Sequence, residues 1–176
     1  TSFPMTEADG LAEARAEEAQ IAREALSQRA EAWEEEVTQA ARDYRDVDLT
    51  IKFQYAWTLC KTQGEHETRL GIQLLEAIIE ENRYDHVDDC AYCLAATHMA
   101  RGNLAEGRRW TEFLLRHSPD HSAGLTLHRT VLARQKDREQ ANLQAIGVAA
   151  AVAGVAGAVL LGVFGSSSGG RQRGRR

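Results

Sequence analysis

Cys90 and Cys93 stand three positions apart, the spacing used by redox pairs and zinc sites, and on a helix such residues share a face. A tetrahedral site needs a second pair, and the chain has only one further cysteine, Cys60. The pair therefore reads as small core residues, the usual role of reduced thiols. His117 and His121, with His128 farther on, form the other set with metal-binding chemistry. No carboxylate or cysteine cluster joins them in sequence, so surface and capping roles are expected. No phosphate-binding glycine loop, zinc-protease motif or nucleophile elbow occurs. The expectation is a non-enzyme with no catalytic residue, no metal site and no cofactor.

Charge narrows the partners. All 26 acidic residues precede residue 145, whereas four of the 21 basic residues follow it, which leaves 17 basic against 26 acidic residues, a net −9, in the first part. Phosphate contacts need clustered Lys and Arg, so no nucleic-acid partner is expected. Ala, Glu, Arg and Leu dominate, prolines number two, and most glycine lies near the C-terminal end. That composition predicts an all-α protein. An odd cysteine count and the lack of a recognisable signal peptide are expectations of a reducing compartment.

Residues 145–165, AIGVAAAVAGVAGAVLLGVFG, carry no charged side chain. As a helix, about 21 residues cover roughly 31 Å, the thickness of a bilayer's hydrocarbon core. Residues 166–176 follow as a Ser/Gly run with Arg171, Arg173, Arg175 and Arg176. The expectation is a C-terminal transmembrane anchor with a basic targeting end, the preceding residues facing the cytosol. Ala150, Gly154, Ala158 and Gly162 fall at four-residue steps, a side on which another helix can approach closely, which leaves a homo-oligomer open.

The elements before the anchor follow a helical period. Residues 1–27 read as an acidic, exposed helical arm with a thin apolar stripe, and 28–140 as the folded domain. Docking of the second part of the first helix is expected through Trp33 and Val37. The segment 50–64 follows, with Thr50 as its cap and Gly64 as its end. Asn103 and Glu106 form a capping-box-like pair, and Ser118-Pro119 reads as the start of the last helix. Trp57, Leu59 and Cys60 recur about 35 residues later as Tyr92, Leu94 and Ala95, a period that matches the tetratricopeptide repeat. Gly71 recurs as Gly107, each a small residue where two helices touch. Two such units cannot bury their faces alone, so helices before and after must cap them.

Phe53-Gln54-Tyr55-Ala56-Trp57, Gly71-Ile72-Gln73-Leu74-Leu75-Glu76, Tyr92-Cys93-Leu94-Ala95 and Ser118-Pro119 resemble, in order and spacing, the motifs of the mitochondrial fission 1 protein family. The long acidic arm, the arginine-only end and the turn Gly102-Asn103-Leu104 depart from it. The resemblance implies two tetratricopeptide-like repeats flanked by capping helices, and anchoring in the mitochondrial outer membrane and often in peroxisomes. It also implies a groove that binds a dynamin-related GTPase or its adaptors for organelle division. A tail-anchored co-chaperone or protein-import receptor is the alternative, disfavoured because a clamp for an acidic peptide needs more positive charge than Lys61 supplies.

In tetratricopeptide pairs the first helix of each unit lines the concave surface. Aligning Leu59 with Leu94 turns Gln54, Trp57, Lys61, Asp89, Tyr92, Ala96 and Met99 toward the groove. Ala56, Cys60, Ala91 and Ala95 then face the partner helices. A groove with an aromatic floor and a few charges suits a helical or extended peptide. The arm's Glu13, Glu17, Glu18 and Glu24 are expected to lie near Lys61 and screen it.

Overall fold

The computed structural model describes the backbone of residues 7–164 and the side chains of residue 10 and residues 12–145. Six helices appear among them: α1 (Glu7–Arg42), α2 (Leu49–Lys61), α3 (Glu65–Glu81), α4 (Val87–Ala100), α5 (Leu104–His117) and α6 (Ser122–Phe164). The described residues contain no strand, which agrees with the all-α expectation. The chain divides inside α6 into two units, Thr1–Leu132 and Ala133–Arg176. The side chains of the expected packing ladder (Ala150, Gly154, Ala158, Gly162) and all of residues 166–176, with their arginines, lie outside the described part of the chain. Among the described residues, no helix is long and apolar enough to cross a membrane.

In the first unit α2 and α3 form one antiparallel pair and α4 and α5 a second, with α1 against α2 and α3 against α4. The core runs through both: Leu75, Ile78, Leu94 and Leu114 have no exposed surface, and Cys90, Ala91 and Ala95 fill the narrow spaces between them. The start of α6 closes the second pair through Leu127 and Val131.

Several local expectations are corrected. Helix α1 passes through the Ser27–Gln28 boundary unbroken. Its first half is not merely exposed: Ala19 and Ala22 are 1% and 5% exposed, whereas Ile21 is 59% exposed. The large apolar residues are a poor guide here because alanine lets the helix approach closely. Trp33 stacks on Tyr55 with ring centroids 6.3 Å apart, but Val37 stays exposed, and Glu36 and Ala40 take the buried positions. Arg45 donates to both Glu36 carboxylate oxygens, at 2.6 and 3.0 Å, and the Asp48 amide donates to Oε1 at 2.7 Å. This clamp fixes the α1–α2 connector.

The cap of α2 is Asp48, whose carboxylate accepts from the Thr50 amide at 2.7 Å; Thr50 lies inside the helix. Gly64 is the N-cap of α3 rather than the end of α2, and the left-handed residue between them is Gln63, at φ 61°. Asn103 occupies the N-cap position of α5 without a side-chain capping bond. Ser118 closes α5 and donates to Asp88 instead of capping α6. Helix α6 starts at Ser122, where His121 Nδ1 accepts from the Gly124 amide at 2.9 Å. A hydroxyl drawn to a tertiary partner is lost to local capping, and sequence spacing does not record that competition.

Candidate functional site: a groove lying beneath the first helix

Residues of α2 and α4 line an open cavity of about 520 Å³, and Ala12, Arg15 and Glu18 of α1 line its other side. Trp57, Cys60 and Lys61 come from α2, Ala96 and Met99 from α4, and Ala12, Arg15 and Glu18 from α1. Two hydrogen bonds tie α1 to the turn after α2: Gln63 Nε2 donates to the Arg15 carbonyl at 2.9 Å, and Arg23 Nη1 donates to the Thr62 carbonyl at 3.3 Å. The Lys61 ammonium lies 4.9 Å from the Trp57 ring centroid, so the cation rests on the aromatic face.

Four of the seven residues expected in the groove, Trp57, Lys61, Ala96 and Met99, line this one cavity. The other three lie elsewhere. Gln54 accepts from Arg29 of α1, so it belongs to the α1–α2 contact. Tyr92 stacks on His121 with centroids 6.0 Å apart and borders a shallower cleft of about 330 Å³ against α6. Asp89 is exposed, and its carboxylate lies 3.9 Å from His86 Nδ1. Cys60, assigned to the side facing the partner helices, borders the cavity as well.

Residues outside the expected set also line the cavity: Arg15 and Glu18 of the arm, Thr68 of α3 and Arg101 after α4. Aligning only the first helix of each repeat could not find them. The acidic arm offered one signal, since Glu18 is among the carboxylates expected near Lys61. Glu13, Glu17 and Glu24 do not border the cavity.

The groups with potential chemistry have structural environments. All three cysteines are buried and free. Desolvation pushes the Cys60 thiol up to about 11 and Cys90 up to about 12, and raises Cys93 as well. Thiols held protonated at neutral pH are poor nucleophiles and poor metal ligands. His117 Nδ1 lies 3.0 Å from the Phe113 carbonyl, His121 caps α6, and His128 Nδ1 lies 2.7 Å from Thr111 Oγ1. Each histidine thus has its own local partner. The cavity combines apolar and aromatic lining, Trp57, Ala96 and Met99, with the charged Arg15, Glu18, Lys61 and Arg101.

Known proteins share this fold. The Fis1 N-terminal tetratricopeptide repeat family matches residues 50–82, which are α2 and α3. The mitochondrial fission 1 protein of Gibberella zeae is 33% identical over 123 residues, covering 68% of this chain and 78% of that protein. The mouse protein of that name is 28% identical over 123 residues, covering 69% and 81%. The crystal structure of fission protein Fis1 from Saccharomyces cerevisiae superposes with a TM-score of 0.55 at 22% identity, covering 66% of this chain and 88% of that one. Yeast Fis1 in complex with an Mdv1 fragment superposes at 0.50 with 19% identity, covering 79% and 98%. The helical fold is thus shared, and the chain belongs to the mitochondrial fission 1 protein family.

Proposed function

We propose that this chain is an adaptor of mitochondrial fission that recruits a dynamin-related GTPase, or an adaptor of one, through the groove of α2 and α4. Family membership is the observation that carries this reading. Yeast Fis1, whose fold it shares, has been solved with a fragment of Mdv1 containing its N-terminal extension and coiled-coil domains. Trp57, Lys61, Ala96 and Met99 are the contact residues, because they line one cavity from two helices. The apolar segment 145–165 anchors the chain in the mitochondrial outer membrane, with peroxisomes a second site, and Arg171, Arg173, Arg175 and Arg176 direct it there. Ala150, Gly154, Ala158 and Gly162 are the side of that span on which a second helix packs.

Ala12, Arg15 and Glu18 of α1 line one side of the same cavity, so a partner helix and the arm compete for it. Competition of this kind lowers apparent affinity by the fraction of molecules in the open state. A photo-crosslinking side chain at position 99 in cells should capture the partner. Ala19→Glu puts a charge into the buried α1 contact and loosens the arm, so it should raise the crosslinking yield. Capture of a chaperone tail in place of division machinery would favour the co-chaperone reading. A yield that Ala19→Glu leaves unchanged would remove the arm from the account. A fluorescent protein fused to residues 145–176 should coat mitochondria, and one that stays diffuse would sink the anchor.

A further inference from the structure

Ser118-Pro119 is the chain's single Ser/Thr-Pro step. It lies in the turn between α5 and α6, where His117, Pro119 and Asp120 are exposed and Ser118 is half-buried. Pro119 keeps the residue before it out of the helical region, and Ser118 has φ −132° and ψ 81°, close to extended. A serine in an extended surface turn, followed by a residue with no N–H, has the form that a proline-directed serine kinase reads.

The Ser118 hydroxyl also holds the fold together locally. It donates to Asp88 Oδ2, in the first turn of α4. Thirty residues apart, the two groups tie the α5–α6 corner to the start of α4. Next to this bond, His121 stacks on Tyr92 of α4 with centroids 6.0 Å apart and caps α6 through the Gly124 amide. These contacts shape the cleft of about 330 Å³ that Tyr92, Ser122, Thr126 and Thr130 border. Farther along α6, Leu127 and Val131 are buried, and His128 Nδ1 lies 2.7 Å from Thr111 Oγ1. The corner can therefore move while that part of α6 stays packed.

We infer that Ser118 is a phosphorylation site, and that its phosphate detaches the α5–α6 corner from α4 and reshapes the Tyr92 cleft. The last turn of α5 opens to admit the kinase, and helix ends open at little cost. The Ser118 oxygen attacks the γ-phosphorus of the kinase's ATP. The new O–P bond forms as the bond from that phosphorus to the β,γ-bridging oxygen breaks. ADP leaves, and the hydroxyl proton passes to the kinase's catalytic carboxylate. A phosphoserine carries about −1.5 to −2 charge at pH 7. The contact with Asp88 then turns from a hydrogen bond into a repulsion, and Asp89 in the same turn adds to it. Arg116, exposed two residues earlier, offers the phosphate a cation to turn toward. The inference goes beyond the partner reading and does not rest on it, because it needs no occupant of the groove beneath α1.

The test uses the full chain in phosphatidylcholine nanodiscs, incubated with ATP and a mitogen-activated kinase. Tandem mass spectrometry should find phosphate on Ser118, and Pro119→Ala should lower its incorporation roughly tenfold. A chain left unmodified while the kinase turns over its model peptide overturns the site. Hydrogen exchange then reads the switch. On phosphorylation the Gly124 and Leu125 amides, in the first turn of α6, should exchange roughly tenfold faster, while α2 and α3 keep their protection. Ser118→Ala removes the bond without adding charge and should give a smaller increase. Asp88→Asn keeps an acceptor for the serine and offers the phosphate a donor, so phosphorylation of that variant should leave exchange nearly unchanged. Exchange that phosphorylation does not alter overturns the switch. An increase as large in Ser118→Ala, or in phosphorylated Asp88→Asn, overturns repulsion at Asp88 as its cause.

Discussion

A Cβ placed on Gly71 would lie 2.6 Å from the Ala56 carbonyl oxygen and 2.7 Å from Cys60 Sγ. The same atom on Gly107, one repeat later, would lie 3.5 Å from the Ala95 carbonyl oxygen and 3.5 Å from the Met99 amide nitrogen. Both glycines are buried on the second helix of their pair and face the first. Both face backbone atoms, but only in the first pair is the approach too close for a methyl group. The second pair keeps room for a methyl group. The two pairs also differ in what surrounds them. The first is bordered by ionic links, Lys52 with Glu81, Arg83 with Asp46 at 2.8 Å, and Arg45 with Glu36. The second is held by apolar burial of Cys90, Cys93, Leu94 and Trp110, with the Thr111–His128 bond to α6. Repeats that look equivalent in sequence can therefore carry different constraints at the same position.

Gly71→Ala tests the closest approach and should have the largest effect. The nearest neighbours of the new atom include backbone, which cannot swing away, so α3 must shift from α2. Overpacking of this sort costs about 1–3 kcal/mol, seen as a fall of several degrees in the thermal midpoint. A midpoint at or above that of the parent would mean that α2 and α3 are less tightly joined than the geometry states.

The ionic border of the first pair gives a second test. The Arg45 guanidinium, followed by the Asp48 amide, holds the Glu36 carboxyl down at about 2, from an ordinary value of 4.5. A depressed carboxylate contributes stability at neutral pH, and that stability is lost as pH falls from about 4.5 toward 2. Glu36→Gln should lower the urea midpoint at pH 7 and flatten the decline between pH 4.5 and 2. An unchanged acid limb would show that the clamp is not coupled to folding.

The second pair titrates elsewhere. Burial lowers the pKa of His98 on α4 from 6.5, and its Nε2 has no hydrogen-bond partner. Glu106 opposes this shift, while Arg101 and Arg109 reinforce it. The folded chain therefore favours the neutral ring. The resulting stability is complete above pH 6.5 and is lost as pH falls through the lowered value. His98→Gln should remove a mild loss of stability below pH 6.5 that Glu36→Gln leaves intact. Identical pH profiles for the two variants would erase the division between the pairs.

How much of this was legible depends on residue size. The repeat period, the all-α class and the order of helices follow from large apolar residues at helical spacing, and Leu75, Ile78, Leu94 and Leu114 are where that pattern requires them. The contact of the arm was hidden because Ala19 and Ala22, not Ile21, make it. The caps at Asp48 and His121 were missed because several polar residues compete at each helix start, and tertiary partners decide among them. The groove was legible in part. Trp57, Lys61, Ala96 and Met99 follow from repeat alignment, whereas Thr68, Arg101 and Arg15 enter from elements outside it.

Gly107→Ala is the smallest effect and the sharpest comparison, since its sign should be opposite to that of Gly71→Ala. Glycine in a helix interior carries a backbone-entropy cost that alanine avoids. At Gly107 the added methyl meets atoms at 3.5 Å and beyond, ordinary van der Waals distance, so nothing must move. The entropy gain then stands nearly alone, and the expected result is a stabilisation of about 0.5 kcal/mol. Matched urea titrations of Gly71→Ala, Gly107→Ala and the double variant would measure it. The double variant should equal the sum of the two, because the glycines occupy separate helix pairs with no shared neighbour among the nearest atoms. A loss at Gly107 comparable to that at Gly71 would show that both pairs close on their glycines alike. Gly107→Leu separates space for a methyl from space for a larger group: a destabilisation there, beside a gain for alanine, would place the limit of the second pair between the two side chains.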